Sequence, residues 1–350
     1  MTPIWFIMLG LSACCALAWL IGFVIWRMRR LAELRHCGQV VETAHGPMEF
    51  SIVGTGPVIL HFHGGAAGCD QTLALSWDLH ENGFAMLTPS RPGYLRTPLN
   101  TGATPEQAAD AAASLLLVLR IERVGVMGTS GGGPTALQFA LRHPQQVWGL
   151  VLQSAIAQRF VEPPRSTHSL VGLVIFSRVG NWLTDMAAWS VCLLARCCPT
   201  LLVRSLLNAS DDLNSIKAKQ RFSFVRRHPE QMAFFQKLVP TGTPLSVRQS
   251  GLWNDLRQFA DLPHYPLERI SCPTLVVHGS ADGNVPFSHA QFVAKSVPNA
   301  ELLAVEDCGH FIWVGPESEQ TSQKVMAFIN RFAPLNCTQN ASGKFPDAAP

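Results

Sequence analysis

A serine set among glycines, Gly128-Thr129-Ser130-Gly131-Gly132, separates two unlike stretches of this chain. Arg123 to Met127 before it is a short apolar run of strand type, and Gly132 to Arg142 after it has helical composition. A chain passes from strand to helix in so few residues only through a tight turn. That turn strains the serine backbone and lifts Oγ of Ser130 above a sheet, beside a helix amino terminus. Glycines flank it because no side chain fits where strand and helix approach. Two other glycine motifs compete. Gly131-x-Gly133-x-x-Ala136 fits a dinucleotide fingerprint, but no Asp or Glu closes the next strand to hold a ribose. A phosphate loop needs Lys-Ser/Thr after the glycines, where Pro134-Thr135 stands.

The flanking pattern sets the fold class. Val40 to Thr43, Met48 to Val53, Val58 to Phe62, Phe84 to Thr88, Val147 to Gln153, Thr274 to His278 and Ala300 to Val305 read as strands. Helices are expected around Leu73 to Asn82, at Thr104 to Leu119 (Thr104 as N-cap, Pro105 and Glu106 in the first turn), at Phe287 to Ser296 and at Ser318 to Phe332. Strands alternating with helices predict an α/β domain: a mostly parallel sheet with helices on both faces. Residues 157–265 break the alternation and read as helical. They form an insertion expected at the strand carboxyl ends, where ligands of open α/β sheets bind.

A hydroxyl needs a base to become a nucleophile, and the base needs a group to orient it. His310, in Asp307-Cys308-Gly309-His310-Phe311, follows the last strand and can lean over the sheet toward Ser130. The acid should fall between them in chain order. Asp282, in His278-Gly279-Ser280-Ala281-Asp282, stands at a strand carboxyl end; Asp307 is the alternative acid. An acyl-transfer site also needs two N–H donors for the oxyanion. Gly131 follows the nucleophile, and Gly65 lies in the loop His63-Gly64-Gly65-Ala66-Ala67-Gly68 after an early strand. His63 is read as a brace for that loop. His61-x-His63 lacks the Asp-His continuation of a metallohydrolase, so neither metal nor cofactor is expected.

Together, His63-Gly64-Gly65, Ser90-Arg91-Pro92-Gly93-Tyr94, Gly128-Thr129-Ser130-Gly131-Gly132, Asp282 and Gly309-His310 resemble the α/β-hydrolase superfamily over about residues 40–333. The resemblance implies an α/β-hydrolase sheet, hydrolysis through an acyl-enzyme on Ser130, Asp282 and His310, and a helical cap in the insertion. Ser in place of Asp at the nucleophile departs from the dehalogenase and epoxide-hydrolase branches. Gly131 stands where proline iminopeptidase relatives carry Trp. The implied division is 1–38, anchor and basic linker; 39–156 with 266–333, hydrolase core; 157–265, cap; 334–350, a disordered polar tail.

The amino terminus lies outside the family pattern. Ile4 to Trp26 carries no charge, and roughly 23 residues span about 34 Å, enough for a hydrocarbon core of about 30 Å. Arg27, Arg29, Arg30 and Arg35 follow. The expectation is one transmembrane helix with the main domain on the cytoplasmic side. A cleaved signal peptide would need a basic start and a shorter run. Leu11-Ser12-Ala13-Cys14 resembles a lipoprotein box, but the apolar run continues past it. The ten cysteines include no C-x-x-C pair and are read as free and buried.

With 27 Lys+Arg against 24 Asp+Glu, a net charge of +3 and no basic stripe, a nucleic-acid partner is not expected. Leu170 to Phe176 and Met186 to Val203 are apolar runs within the insertion, too short or interrupted to span. An anchor with an apolar cap points to a small-molecule or lipid ester as substrate: an esterase or lipase. A thioesterase, amidase or C–C hydrolase, and a non-catalytic binding protein that kept the fold, are the alternatives. No residue pattern sets an oligomeric state.

Overall fold

The computed structural model describes residues 2–71, 75, 79–161 and 181–334. Eight strands form one sheet: β1 (Gln39–Thr43), β2 (Gly46–Val53), β3 (Val58–Phe62), β4 (Ala85–Pro89), β5 (Val124–Thr129), β6 (Val147–Gln153), β7 (Thr274–Gly279) and β8 (Ala300–Val305). Their spatial order is β1-β2-β4-β3-β5-β6-β7-β8. The β1–β2 hairpin and the β2–β4 pair are antiparallel, and every other pair is parallel. Strands β3 to β7 are buried along their whole length, which is why they read as short, nearly unbroken apolar runs. The edge strands β1 and β8 mix exposed with half-buried positions.

Alternate side chains of the central strands enter two cores. Leu60, Phe62 and Val126 pack with α2 (Pro105–Val118), α3 (Gly133–Arg142) and α9 (Ser288–Ser296), whereas Ile59 and Met127 pack with α10 (Ser318–Phe332). Helix α2 starts in a capping box: Thr104 Oγ1 accepts the Gln107 N–H, and the Gln107 side chain accepts the Thr104 N–H. Of the helix expected around Leu73–Asn82, residues 79–82 form turns closed by Asn82 N–H on the Leu79 carbonyl, and most of the rest lies outside the described residues.

Between β6 and β7 the chain forms α4 (Asn181–Cys197), α5 (Pro199–Ser210), α6 (Ser215–Arg227), α7 (Pro229–Leu238) and α8 (Gln249–Ala260). The apolar run Met186 to Val203 is divided, with α4 and α5 meeting at 117°. Pro199 opens α5, a position where its missing N–H costs nothing. Leu170 to Phe176 and residues 335–350 of the expected tail lie outside the described residues.

Helix α1 (Thr2–Cys37) is long and apolar enough to cross a membrane. The basic linker expected from residue 27 is helical: it continues the same helix as far as Cys37. Arg, Leu, Ala and Glu, which dominate there, are all strong helix formers. Arg27 Nε binds Asp185 of α4 at 2.8 Å, and Arg30 Nη2 binds Asp70 at 2.8 Å. The nine described cysteines form no disulfide with one another; Cys69, Cys192, Cys272 and Cys308 are buried, but Cys14, Cys15, Cys197 and Cys198 are exposed.

Candidate active site

Ser130 follows the last residue of β5, and its φ is +51°. A non-glycine residue reaches that region only where its surroundings hold it there. A Cβ on Gly132 would run into the Phe62 and His63 carbonyls, and one on Gly128 would come within 2.6 Å of the Ala136 Cβ. The glycines thus let β5, the turn and α3 close up, and Ser130 is left at the rim of a cavity.

His310 reaches Ser130 from the loop after β8. Its Nε2 lies 3.1 Å from Ser130 Oγ, and its Nδ1 lies 2.8 Å from Asp282 Oδ2. A carboxylate only accepts, so Nδ1 carries the proton and Nε2 is left to accept from the hydroxyl. Asp282 Oδ1 accepts the N–H groups of Asn284 (2.8 Å) and Val285 (2.9 Å), which fix the carboxylate plane. The other candidate acid, Asp307, is exposed and paired with Lys217 Nζ at 2.6 Å. Burial pushes the Asp282 carboxyl up, but the electrostatic attraction to His310 and the hydrogen bonds from His278 and His310 outweigh it and hold the group below the usual carboxylate range.

Two neighbours of this chain escaped the sequence reading. His278 Nε2–H is shared between the Val285 carbonyl (2.9 Å) and Asp282 Oδ2 (3.2 Å), so a second imidazole backs the same carboxylate. The spacing His278–Asp282 was visible, but a strand-end His reads as packing. From the insertion, the Ser210 carbonyl accepts the N–H of Gly283 (2.9 Å) and of His310 (3.4 Å). On the other side, Ser154 Oγ donates to the His310 carbonyl at 3.0 Å.

Gly65 and Gly131 face one another: a Cβ on Gly131 would sit 3.4 Å from Gly65 N. The neighbouring amides are occupied. Gly64 N–H donates to Gln71 Oε1 (3.1 Å), and Ala66 N–H goes to the Tyr94 hydroxyl. The N–H groups of Gly65 and Gly131 have no protein partner among the described residues, and both glycines line the cavity. His63 braces this loop, with Nδ1 on the Gly64 carbonyl (2.8 Å) and Nε2 accepting the Arg91 N–H (3.0 Å). Burial, reinforced by the Arg91 charge, keeps its pKa well below the ordinary value. His61 is turned instead to Thr129 Oγ1 at 2.9 Å. Among the described residues no three His, Cys, Asp or Glu side chains converge as metal ligands.

The cavity above Ser130 measures about 300 Å³ and is lined by residues such as Val191, Leu206, Leu238, Leu252, Phe259 and Trp313. Its described walls contain no Lys, Arg, Asp or Glu; His310 is the one ionisable side chain among them.

Residues 57–314 match the model of the alpha/beta hydrolase fold family. The chain belongs to the α/β-hydrolase fold family. Among curated relatives of this α/β hydrolase, "Uncharacterized hydrolase YcgS" of Bacillus subtilis is 30% identical over 81% of this chain and 95% of its own. A "2-hydroxy-6-oxononadienedioate/2-hydroxy-6-oxononatrienedioate hydrolase" of Pseudomonas sp. is 25% identical over 82% of this chain and 93% of its own. A solved alpha/beta hydrolase fold protein from Nakamurella multipartita superimposes with a TM-score of 0.76 at 30% identity, covering 83% of this chain and 98% of that one.

Proposed function

We propose that this α/β hydrolase is a membrane-anchored serine esterase acting on lipophilic carboxylic esters. One observation carries the reading: the hydrogen-bonded line Ser130–His310–Asp282 opens into a cavity whose described walls are uncharged apart from His310. Ser130 Oγ attacks the acyl carbonyl carbon while His310 Nε2 takes its proton. The carbonyl oxygen, now an oxyanion, is met by the Gly65 and Gly131 N–H groups; a donor of this kind is worth roughly 2.7–4 kcal/mol in the transition state. The tetrahedral intermediate collapses, His310 gives the proton to the leaving alcohol, and the acyl group stays on Ser130. Water, deprotonated by His310, attacks that ester; the second tetrahedral intermediate collapses, His310 returns the proton to Ser130 Oγ, and the acid is released. Asp282 fixes the imidazole tautomer and stabilises its charged form throughout.

In this reading residues 157–265 act as a cap over a core of 39–156 and 266–333, and α1 anchors the enzyme with the arginine-bearing end and the catalytic domain on the cytoplasmic side. Carbon–carbon hydrolysis of a dioate, the reaction suggested by the Pseudomonas relative's name, is the second reading. A dicarboxylate entering a buried site needs cations to offset its desolvation, and the described cavity walls offer no Lys or Arg. That favours an uncharged substrate.

The test is an ester chain-length panel with Ser130→Ala as the blank, read beside fluorophosphonate labelling. Octanoyl and longer esters should turn over faster than acetyl esters at equal concentration, and the variant should neither label nor turn over. Labelling that persists in Ser130→Ala overturns the nucleophile, and an acetyl preference overturns the lipophilic substrate. Added protease should spare the catalytic domain in intact right-side-out cells; digestion there overturns the sidedness.

A further inference from the structure

Helix α1 does not leave the domain as a free tether. Its described residues are exposed as far as Ile21, and from Trp19 onward it lies against α4. Phe23 is fully buried, with its ring 5.4 Å from Trp182 and 5.9 Å from Trp189. Trp19 packs on Trp189 at 5.1 Å. One turn further, Arg27 binds Asp185 and stacks over Trp182 at 5.2 Å. Asp185 is itself held by the Ser246 N–H (2.8 Å) and hydroxyl (2.6 Å), so the joint is firm.

These contacts fix a depth. The uncharged run ends at Trp26, and Trp19 lies about 10 Å further along the helix into the run. Trp189 is level with Trp19, so part of α4 lies inside the zone that the apolar run defines. The part of the run that projects clear of α4, residues 4–18, is roughly 22 Å long, short of a hydrocarbon core of about 30 Å. The bilayer therefore has to extend down to α4. There it meets Trp182 (54% exposed) and Leu183 (53% exposed), the first apolar residues of α4 beside the Arg27 pair.

We infer that the outer face of α4 around Trp182 and Leu183 is a second membrane-contact surface, immersed in the interfacial layer of a phospholipid bilayer beside the anchor. It has the features of an interfacial helix: aromatic residues at the boundary, a flanking arginine, and a depth of about 5–10 Å. The opposite side of α4 lines the cavity through Ala188 and Val191. One helix thus separates lipid from the site, and an acyl chain leaving the leaflet has only the width of α4 to pass. The inference rests on the anchored reading of α1.

The test uses the full chain in phosphatidylcholine–phosphatidylglycerol vesicles, with the photoreactive residue p-benzoylphenylalanine placed singly at three exposed positions and lipid adducts read by mass spectrometry. Position 17 lies in the projecting part of α1. Position 183 lies on the proposed surface. Position 117, at the end of α2 and 77% exposed, lies on the side of the sheet where β5 begins, away from Ser130. Adducts at 17 and 183 with none at 117 are expected. Adducts at 17 but not at 183 overturn the contact surface and leave the anchor standing. No adduct at 17 removes the anchor and the inference with it, and equal adducts at 117 and 183 overturn the surface as a specific one.

Discussion

Arg91 and Asp255 grip each other through two hydrogen bonds of 2.9 and 2.7 Å, although 164 positions separate them. Both are buried, and Tyr94 donates to the same carboxylate at 2.6 Å. The rest of the guanidinium holds the loop of Gly65, with Nε on the His63 carbonyl (2.9 Å) and Nη2 on the Gly64 carbonyl (3.3 Å). Asp255→Ala leaves a buried cation without its partner, which costs about 3–5 kcal/mol. Urea unfolding should show that loss. Turnover by the folded fraction should fall as well, since the proposed oxyanion loop loses its support; an unchanged unfolding midpoint would contradict the pairing.

His278 acts on the proposed chemistry through Asp282. His278→Ala removes a donor from the carboxylate but leaves Ser130, His310 and the cavity walls in place. We expect kcat to fall about tenfold, equivalent to ~1.4 kcal/mol, with KM unchanged and slower but complete fluorophosphonate labelling. A rise in KM without loss of kcat would point to a packing role alone.

Burial pushes the His61 imidazole down to about 4 from an ordinary 6.5. Thr129 Oγ1 donates to Gln153 Oε1 (3.0 Å), so His61 Nε2 donates to Thr129, and Nδ1 is left buried without a partner. A proton added at Nδ1 has nowhere to point. The folded state thus binds this proton more weakly than the unfolded chain does. Stability is intact above pH 6.5 and is lost as pH falls from there toward 4, by about 3 kcal/mol. His61→Gln keeps a donor for Thr129 and removes the titration. Between pH 7 and pH 4 the variant should lose about 3 kcal/mol less than the natural chain in chemical unfolding.

Thr104→Ala removes one half of the capping box of α2, and Thr104 does not line the cavity above Ser130. It should cost about 1 kcal/mol in urea unfolding, with kcat unchanged.

What the sequence made legible was local. β3, β6, β8 and α10 fall on the residues expected, because each is a short apolar run or a regular helical repeat closed by breakers. The meeting of Ser130, Asp282 and His310 was readable from chain order, since each follows a strand at the same end of a parallel sheet. What stayed hidden joins distant segments without any repeat: Asp255 under Arg91, the Ser210 carbonyl on the His310 loop, and α4 along α1. The arginines after Trp26 marked where the apolar run stops, but charge does not end a helix, and α1 continues to Cys37.

That uninterrupted rod has a mechanical consequence. Pinned through Arg27 to Asp185 and through Arg30 to Asp70, it gives the catalytic domain no swivel on its stalk. With α1 anchored as proposed, Ser130 would ride at a constant altitude over the leaflet, so a substrate would be chosen first by how far its scissile bond can rise to meet that level.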